Sequence, residues 1–134
     1  MNIRLKTSGK RKTSVAKIRV FDGKGLVIYK ESSIDNLGTF HKLALFEPIR
    51  IYEELFGKMP YDLQIKTSGG GKESQIQAAR LAIAKALVNL TKKSELKEAY
   101  IKYDRHMVVA DIRRKEQRKP GDSKARAKRQ KSYR

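Results

Sequence analysis

The chain has no cysteine and no tryptophan, only three prolines and two histidines, and just 14 acidic residues against 32 lysines and arginines. Without cysteine there is no disulfide and no thiolate metal site, which fits a cytoplasmic protein. His41 and His106 are too few and too far apart in sequence to build a metal cluster. No apolar run approaches the roughly 20 residues that a membrane span requires. The first residues, Met1-Asn2-Ile3-Arg4-Leu5-Lys6, lack the continuous apolar stretch of a secretory signal. No membrane partner, metal or cofactor is expected.

Positive charge is what the chain has most of, and it is unevenly placed. Of a formal net +18, half lies in residues 112–134, where eleven basic groups are opposed only by Glu116 and Asp122. Residues 1–30 carry a net +8, and residues 31–111 a net +1. A nearly neutral body is therefore flanked by two cationic segments. That pattern suits docking on a polyanion better than general solubility. With 39% hydrophobic content over 134 residues, one compact domain is expected at 1–111, followed by an extended basic tail at 112–134. The tail has too little apolar surface to offset its ordering entropy, so it is predicted to order only against a partner. Nucleic acid fits, because each neutralised phosphate releases condensed counterions.

Along the body, Ser14, Ala16, Ile18 and Val20 alternate with Val15, Lys17, Arg19 and Phe21, predicting a half-buried strand that presents Lys17 and Arg19 outward. Asp22-Gly23-Lys24-Gly25 reads as a turn into a returning strand at 26–29, hence a β-hairpin. Residues 43–56 read as a helix with Pro48 at its first turn or kinking it, closed by Gly57. Residues 61–67 alternate as a further strand and run into Gly69-Gly70-Gly71. Ser74 and Gln77 have capping-box spacing, which places a helix start near Ser74. That helix is apolar on two sides and should lie between a sheet and another helix, its alanines allowing close packing. Ser94 can cap a second helix to about Tyr103, and Met107-Val108-Val109-Ala110 reads as a final strand. The order β-β-α-β-α-α-β predicts an α+β, two-layer α/β sandwich.

Gly69-Gly70-Gly71-Lys72, between a strand and a helix, is the one segment with an enzyme-like look, since backbone amides there can hold a phosphate. The P-loop pattern fails: Lys66 stands where its first glycine belongs, and Glu73 replaces the hydroxyl residue that holds magnesium. A plain flexible turn is the simpler alternative, and backbone phosphate binding to RNA the preferred one. No group of side chains suits acid–base or covalent catalysis, so an enzyme with a small-molecule substrate is not expected.

Three segments together resemble the universal small-subunit ribosomal protein nine family, in its archaeal and eukaryotic form, along essentially the full chain. The first is Gly9-Lys10-Arg11-Lys12-Thr13-Ser14-Val15-Ala16-Lys17. The second is Gly69-Gly70-Gly71 followed by Ser74-Gln75, Ala78, Ala82 and Ala84-Lys85-Ala86-Leu87. The third is Asp111-Ile112-Arg113-Arg114-Lys115-Glu116 with the ending Gln130-Lys131-Ser132-Tyr133-Arg134. The chain departs from bacterial members at Ala110, where they carry arginine, and in its final residues. The resemblance implies a fold like the second domain of small-subunit ribosomal protein five, with a left-handed β-α-β crossover. It also implies a place in the head of the small ribosomal subunit of the cytoplasmic ribosome, on ribosomal RNA and beside neighbouring small-subunit proteins. The tail would reach the peptidyl-site transfer RNA.

Ribosomal-RNA contacts are then expected at Lys10, Arg11, Lys12, Lys17, Arg19, Gly69, Gly70, Gly71 and Lys72 in the body. In the tail they are expected at Arg113, Arg114, Lys115, Arg118, Lys119, Lys124, Arg126, Lys128 and Arg129. Lys131, Ser132, Tyr133 and Arg134 are implied to lie near the transfer RNA. A free RNA chaperone or assembly factor, and more remotely a small-molecule phosphotransferase, are the competing readings.

Overall fold

The computed structural model describes residues 3–121, 124–128 and 132–133. The elements run β1 (Leu5–Arg11), β2 (Ser14–Asp22), β3 (Val27–Tyr29), β4 (Ser32–Ser33), α1 (Thr39–Phe56), β5 (Tyr61–Ser68), α2 (Lys72–Thr91) and α3 (Ser94–Tyr103). A short 3-10 turn at Arg105–Met107 follows α3. The strands form one mixed sheet in the order β1-β2-β5-β3-β4, giving the expected α+β class.

The alternation of residues 14–20 appears as predicted: Ser14, Ala16, Ile18 and Val20 are buried, while Lys17 and Arg19 are exposed. The expected hairpin between residues 13–21 and 26–29 does not form. Instead β2 pairs antiparallel with β1 and β5, and β3 lies parallel beside β5. Asp62 supplies the physical reason. Its Oδ1 accepts the amides of Lys24, Gly25 and Leu26 at 2.9, 3.1 and 2.8 Å, so the loop after β2 is carried over the start of β5 rather than folding back. β3, α1 and β5 thus make a β-α-β unit with its two parallel strands adjacent.

β1 was not anticipated. Its inward positions are Leu5, Thr7 and Gly9, which give almost no hydrophobic alternation. Gly9 is required by α2: a Cβ there would sit 2.2 Å from the carbonyl oxygen of Ala78 and 2.8 Å from the amide of Ala82. The fully buried Ala78, Ala79, Ala82, Ala84 and Ala86 let α2 lie close to the sheet, as their number in the sequence implied. α1 covers the other side of α2, and its buried Leu45 and Ile49 join Ile76, Ile83 and Leu87 in the core. Helices lie on one side of the sheet, while Lys6, Ser8, Lys17, Arg19 and Lys66 on the other are exposed.

Three boundaries also differ. α1 starts at Thr39, which leaves Pro48 buried inside it; the Tyr100 hydroxyl donates to the Pro48 carbonyl at 2.6 Å. α2 starts at Lys72 with Gly71 as its cap, and Ser74 is the residue whose Oγ reaches back to accept the Gly71 amide at 3.2 Å. Ser94 is the first residue of α3 rather than its cap. Residues 107–110 form no strand. The Asp104 carboxylate takes the His106 amide, and the amides of Val108 and Val109 both bond the Arg105 carbonyl, so these backbone groups are satisfied locally.

Candidate nucleic-acid interface

Three segments remote in sequence meet at one corner of the body. The β1–β2 turn brings Lys12 and Thr13 to a tip, with Arg11 opposite Ser14 in the last pair of the ladder. Lys12 takes φ 51°, a left-handed conformation uncommon for a residue with a Cβ. Behind it Ser14, fully buried, donates to the Gly69 carbonyl at 2.9 Å and lies 2.7 Å from the Ser74 hydroxyl. The Gln75 side-chain Nε2 also donates to the Gly69 carbonyl, at 2.9 Å. The glycine segment is thus clamped between hairpin and helix. Gly69 and Gly70 take φ +72° and +66°, and a Cβ on Gly70 would fall 2.1 Å from Ser14 Oγ. These two glycines are required by packing. Gly71 has open space beside it, and Lys72 is exposed.

The third segment is the root of the tail. Asp111 is 8% exposed, and its carboxylate accepts the backbone amide of Arg113 at 2.9 Å and its guanidinium at 2.7–3.1 Å. Arg11 on the hairpin adds a contact of 2.9 Å from the other side. The Arg113 hydrogen bonds, with the charges of Arg11 and Arg113, hold the Asp111 carboxyl well below the usual carboxylate range despite burial. Asp111 therefore fastens the tail to the hairpin. The preceding turn is fixed by Arg80 of α2, which lies between Glu47 of α1 (2.6 Å) and Asp104 (2.7 Å). Burial pushes the Asp104 carboxyl up, but the His106 amide and Arg80 outweigh it and leave it below its ordinary value.

The outcome is a groove of about 610 Å³ lined by Arg11, Lys12, Thr13, Arg113, Arg114 and Lys115. Arg11 and Arg113 spend charge on Asp111. Among the described residues, Lys10, Lys12, Arg114 and Lys115 have no carboxylate within ion-pair distance, so their charge faces solvent. The arrangement can bind anions. Among the described residues no three His, Asp or Glu side chains gather as a metal site, and no helix is long and apolar enough to cross a membrane.

The profile of the family described as "Ribosomal protein S9/S16" matches residues 9–134, which takes in the hairpin tip, the glycine segment and the tail. The chain belongs to that family. Its relatives include the small ribosomal subunit protein uS9 of Methanococcus vannielii, 40% identical over 131 residues that cover 96% of each chain. The uS9 proteins of Methanococcus maripaludis strains C7 and C5 match at the same identity and coverage.

The expected site residues fall into separate groups. Lys10, Arg11, Lys12, Gly69, Gly70, Gly71, Arg113, Arg114 and Lys115 gather at or beside the corner. Lys72 lines instead a separate depression with Tyr29, Lys30 and His41. Lys17 and Arg19 stand on the uncovered sheet face. Beyond the root, Arg118, Lys119, Lys124, Arg126 and Lys128 are exposed, with Arg126 paired to Glu116 at 2.6–3.2 Å. Ser132 and Tyr133 are exposed, whereas Arg129, Lys131 and Arg134 lie outside the described residues. Sequence reasoning passed over Asp111, Ser14 and Arg80 as site-forming residues. The isolated acid ahead of a basic run was the available signal for Asp111.

Proposed function

We propose that this chain is a structural constituent of the small ribosomal subunit, docking on its ribosomal RNA through the corner formed by hairpin tip, glycine segment and tail root. From that corner residues 112–134 run as a basic tail toward the peptidyl-site transfer RNA. The observation that carries the reading is the convergence of Lys12, Arg114 and Lys115, a hundred residues apart in the chain, on one groove. Cations left without acidic partners gain most by displacing counterions from a phosphate backbone. Arg114 offers a planar fork that matches phosphate oxygens, while Lys12 and Lys115 act as point charges. Ala125 and Ala127 are small enough to let the tail approach RNA closely. Tyr133, with its ring exposed, can stack on an unpaired base, a contact worth about 1–3 kcal/mol in single-strand binders.

Nothing in the corner reads base edges, so recognition rests on RNA shape and phosphate position. The basic tail orders on the RNA scaffold, and Asp111 sets where it begins. Ribosomes carrying a chain that lacks Lys131–Arg134 should assemble, with the body in place, yet hold peptidyl-site transfer RNA more weakly. Unchanged transfer-RNA affinity would overturn the tail assignment. A protein that leaves mature small subunits in a high-salt wash would instead be a transient assembly factor.

A further inference from the structure

The face of the sheet turned away from the helices carries a second cationic surface, separate from the corner. Alternation puts Lys6 and Ser8 of β1, Lys17 and Arg19 of β2, and Gln64 and Lys66 of β5 on that face. The register sets Lys6 opposite Arg19 and Lys17 opposite Lys66, with Ser8 beside Lys17 and Gln64 beside Arg19. Like charges placed directly across antiparallel strands repel and destabilise the sheet. Relief within the molecule is slight. Glu31, itself exposed, stands 3.6 Å from Lys66, and among the described residues no other carboxylate lies within ion-pair distance of these four cations. Asp62 shares the face, but its Oδ1 is occupied by the amides of residues 24–26, and Asp22 is paired with Arg4.

We infer that this face is a docking surface for the backbone of double-helical RNA, distinct from the groove at the tail root; the inference rests on the RNA-binding reading above. Strands about 4.8 Å apart with outward residues about 6.8 Å apart along each strand set out the cations on a grid fit for successive phosphates. A depression of about 350 Å³ among Lys6, Thr7, Ser8, Lys17, Ile18 and Arg19 receives the backbone. Sheet surfaces that bind single strands interleave their cations with aromatic rings on which bases stack. The central rows here carry none: half-buried Phe21 lies at the end of β2, opposite Asp62. Ser8 and Gln64 supply instead the neutral hydroxyl and amide that suit ribose 2′-hydroxyls of an A-form helix.

The test uses the full-length chain and the variant K6Q/K17Q/R19Q/K66Q, titrated with a paired RNA duplex, a single strand of equal length and polyglutamate over a range of salt. The variant should bind duplex with a salt slope shallower by about 3.6, as loss of four phosphate contacts requires. In low salt, without RNA, it should also melt at a higher temperature than the parent, because cross-strand repulsion is gone, and the difference should close as salt rises. An unchanged duplex slope, or an equal loss for the single strand, overturns the inference, as does preferential binding of polyglutamate that the variant alters. If the parent binds no RNA, the RNA-binding reading itself fails. A K12Q/R114Q/K115Q chain should lose affinity independently of the sheet-face changes, which separates the two surfaces.

Discussion

Gly70→Ala and Gly71→Ala, neighbours in one segment, should behave oppositely. At position 70 the new Cβ meets Ser14 Oγ at 2.1 Å and Ser74 Oγ at 2.8 Å, in a backbone held at φ +66°. The left-handed conformation costs about 1–2 kcal/mol for a residue with a Cβ. Ser14 must turn away, losing its bonds to Gly69 and Ser74 at a net cost of about 1 kcal/mol each. Reduced freedom of the unfolded chain returns about 0.4–1 kcal/mol. The expected loss is about 2–3.6 kcal/mol, or roughly 8–14 °C in melting temperature at about 4 °C per kcal/mol for a domain of this size. Position 71 has φ −94° and nothing within 4 Å, so alanine there should change stability by less than about 1 kcal/mol. It should still weaken RNA binding if backbone amides of the segment approach a phosphate. Thermal unfolding by circular dichroism and RNA titration by fluorescence anisotropy read the two effects. A Gly70→Ala chain melting within about 2 °C of the parent would refute the clamped loop.

Asp111→Asn should free the tail root, seen as faster proteolysis after Arg113 and Arg114 with an unchanged body. Because its carboxyl is held low by Arg113 and Arg11, the stabilisation it gives is complete above the unfolded value near pH 4 and fades as pH falls below that toward the folded one. Root protection should therefore weaken in acid for the parent and show no such step for Asp111→Asn; identical acid profiles would remove Asp111 from this role. Asp62→Ala strips three amides of their acceptor and should cost roughly 2–3 kcal/mol, with hydrogen exchange rising first at residues 24–26. Exchange unchanged there would mean that Asp62 does not direct the crossing of β5.

Much of the body was legible because its signals are local. β2 shows its strict alternation, and α2 shows apolar residues on two sides because it is covered by both sheet and α1. β1 was hidden because α2 packs against Gly9, leaving no room for the large side chains that mark a strand. The false hairpin came from reading Asp22–Gly25 as a turn, when one carboxylate forty residues on decides where that loop goes. At the site, charge segregation exposed the cationic segments, but their meeting depends on Ser14 with Gly69 and on Arg11 with Asp111. Neither pair leaves a trace in sequence spacing. The opposition of Lys17 and Lys66 is equally invisible until the register is known.

Crosslinks from Lys12 and Arg114 to RNA in intact small subunits, mapped by mass spectrometry, bear most directly on the shared corner. Both positions are expected to attach to nucleotides of the same ribosomal-RNA element. Attachment to widely separated elements, or crosslinks to protein alone, would contradict a single RNA-facing groove at the hairpin tip and tail root.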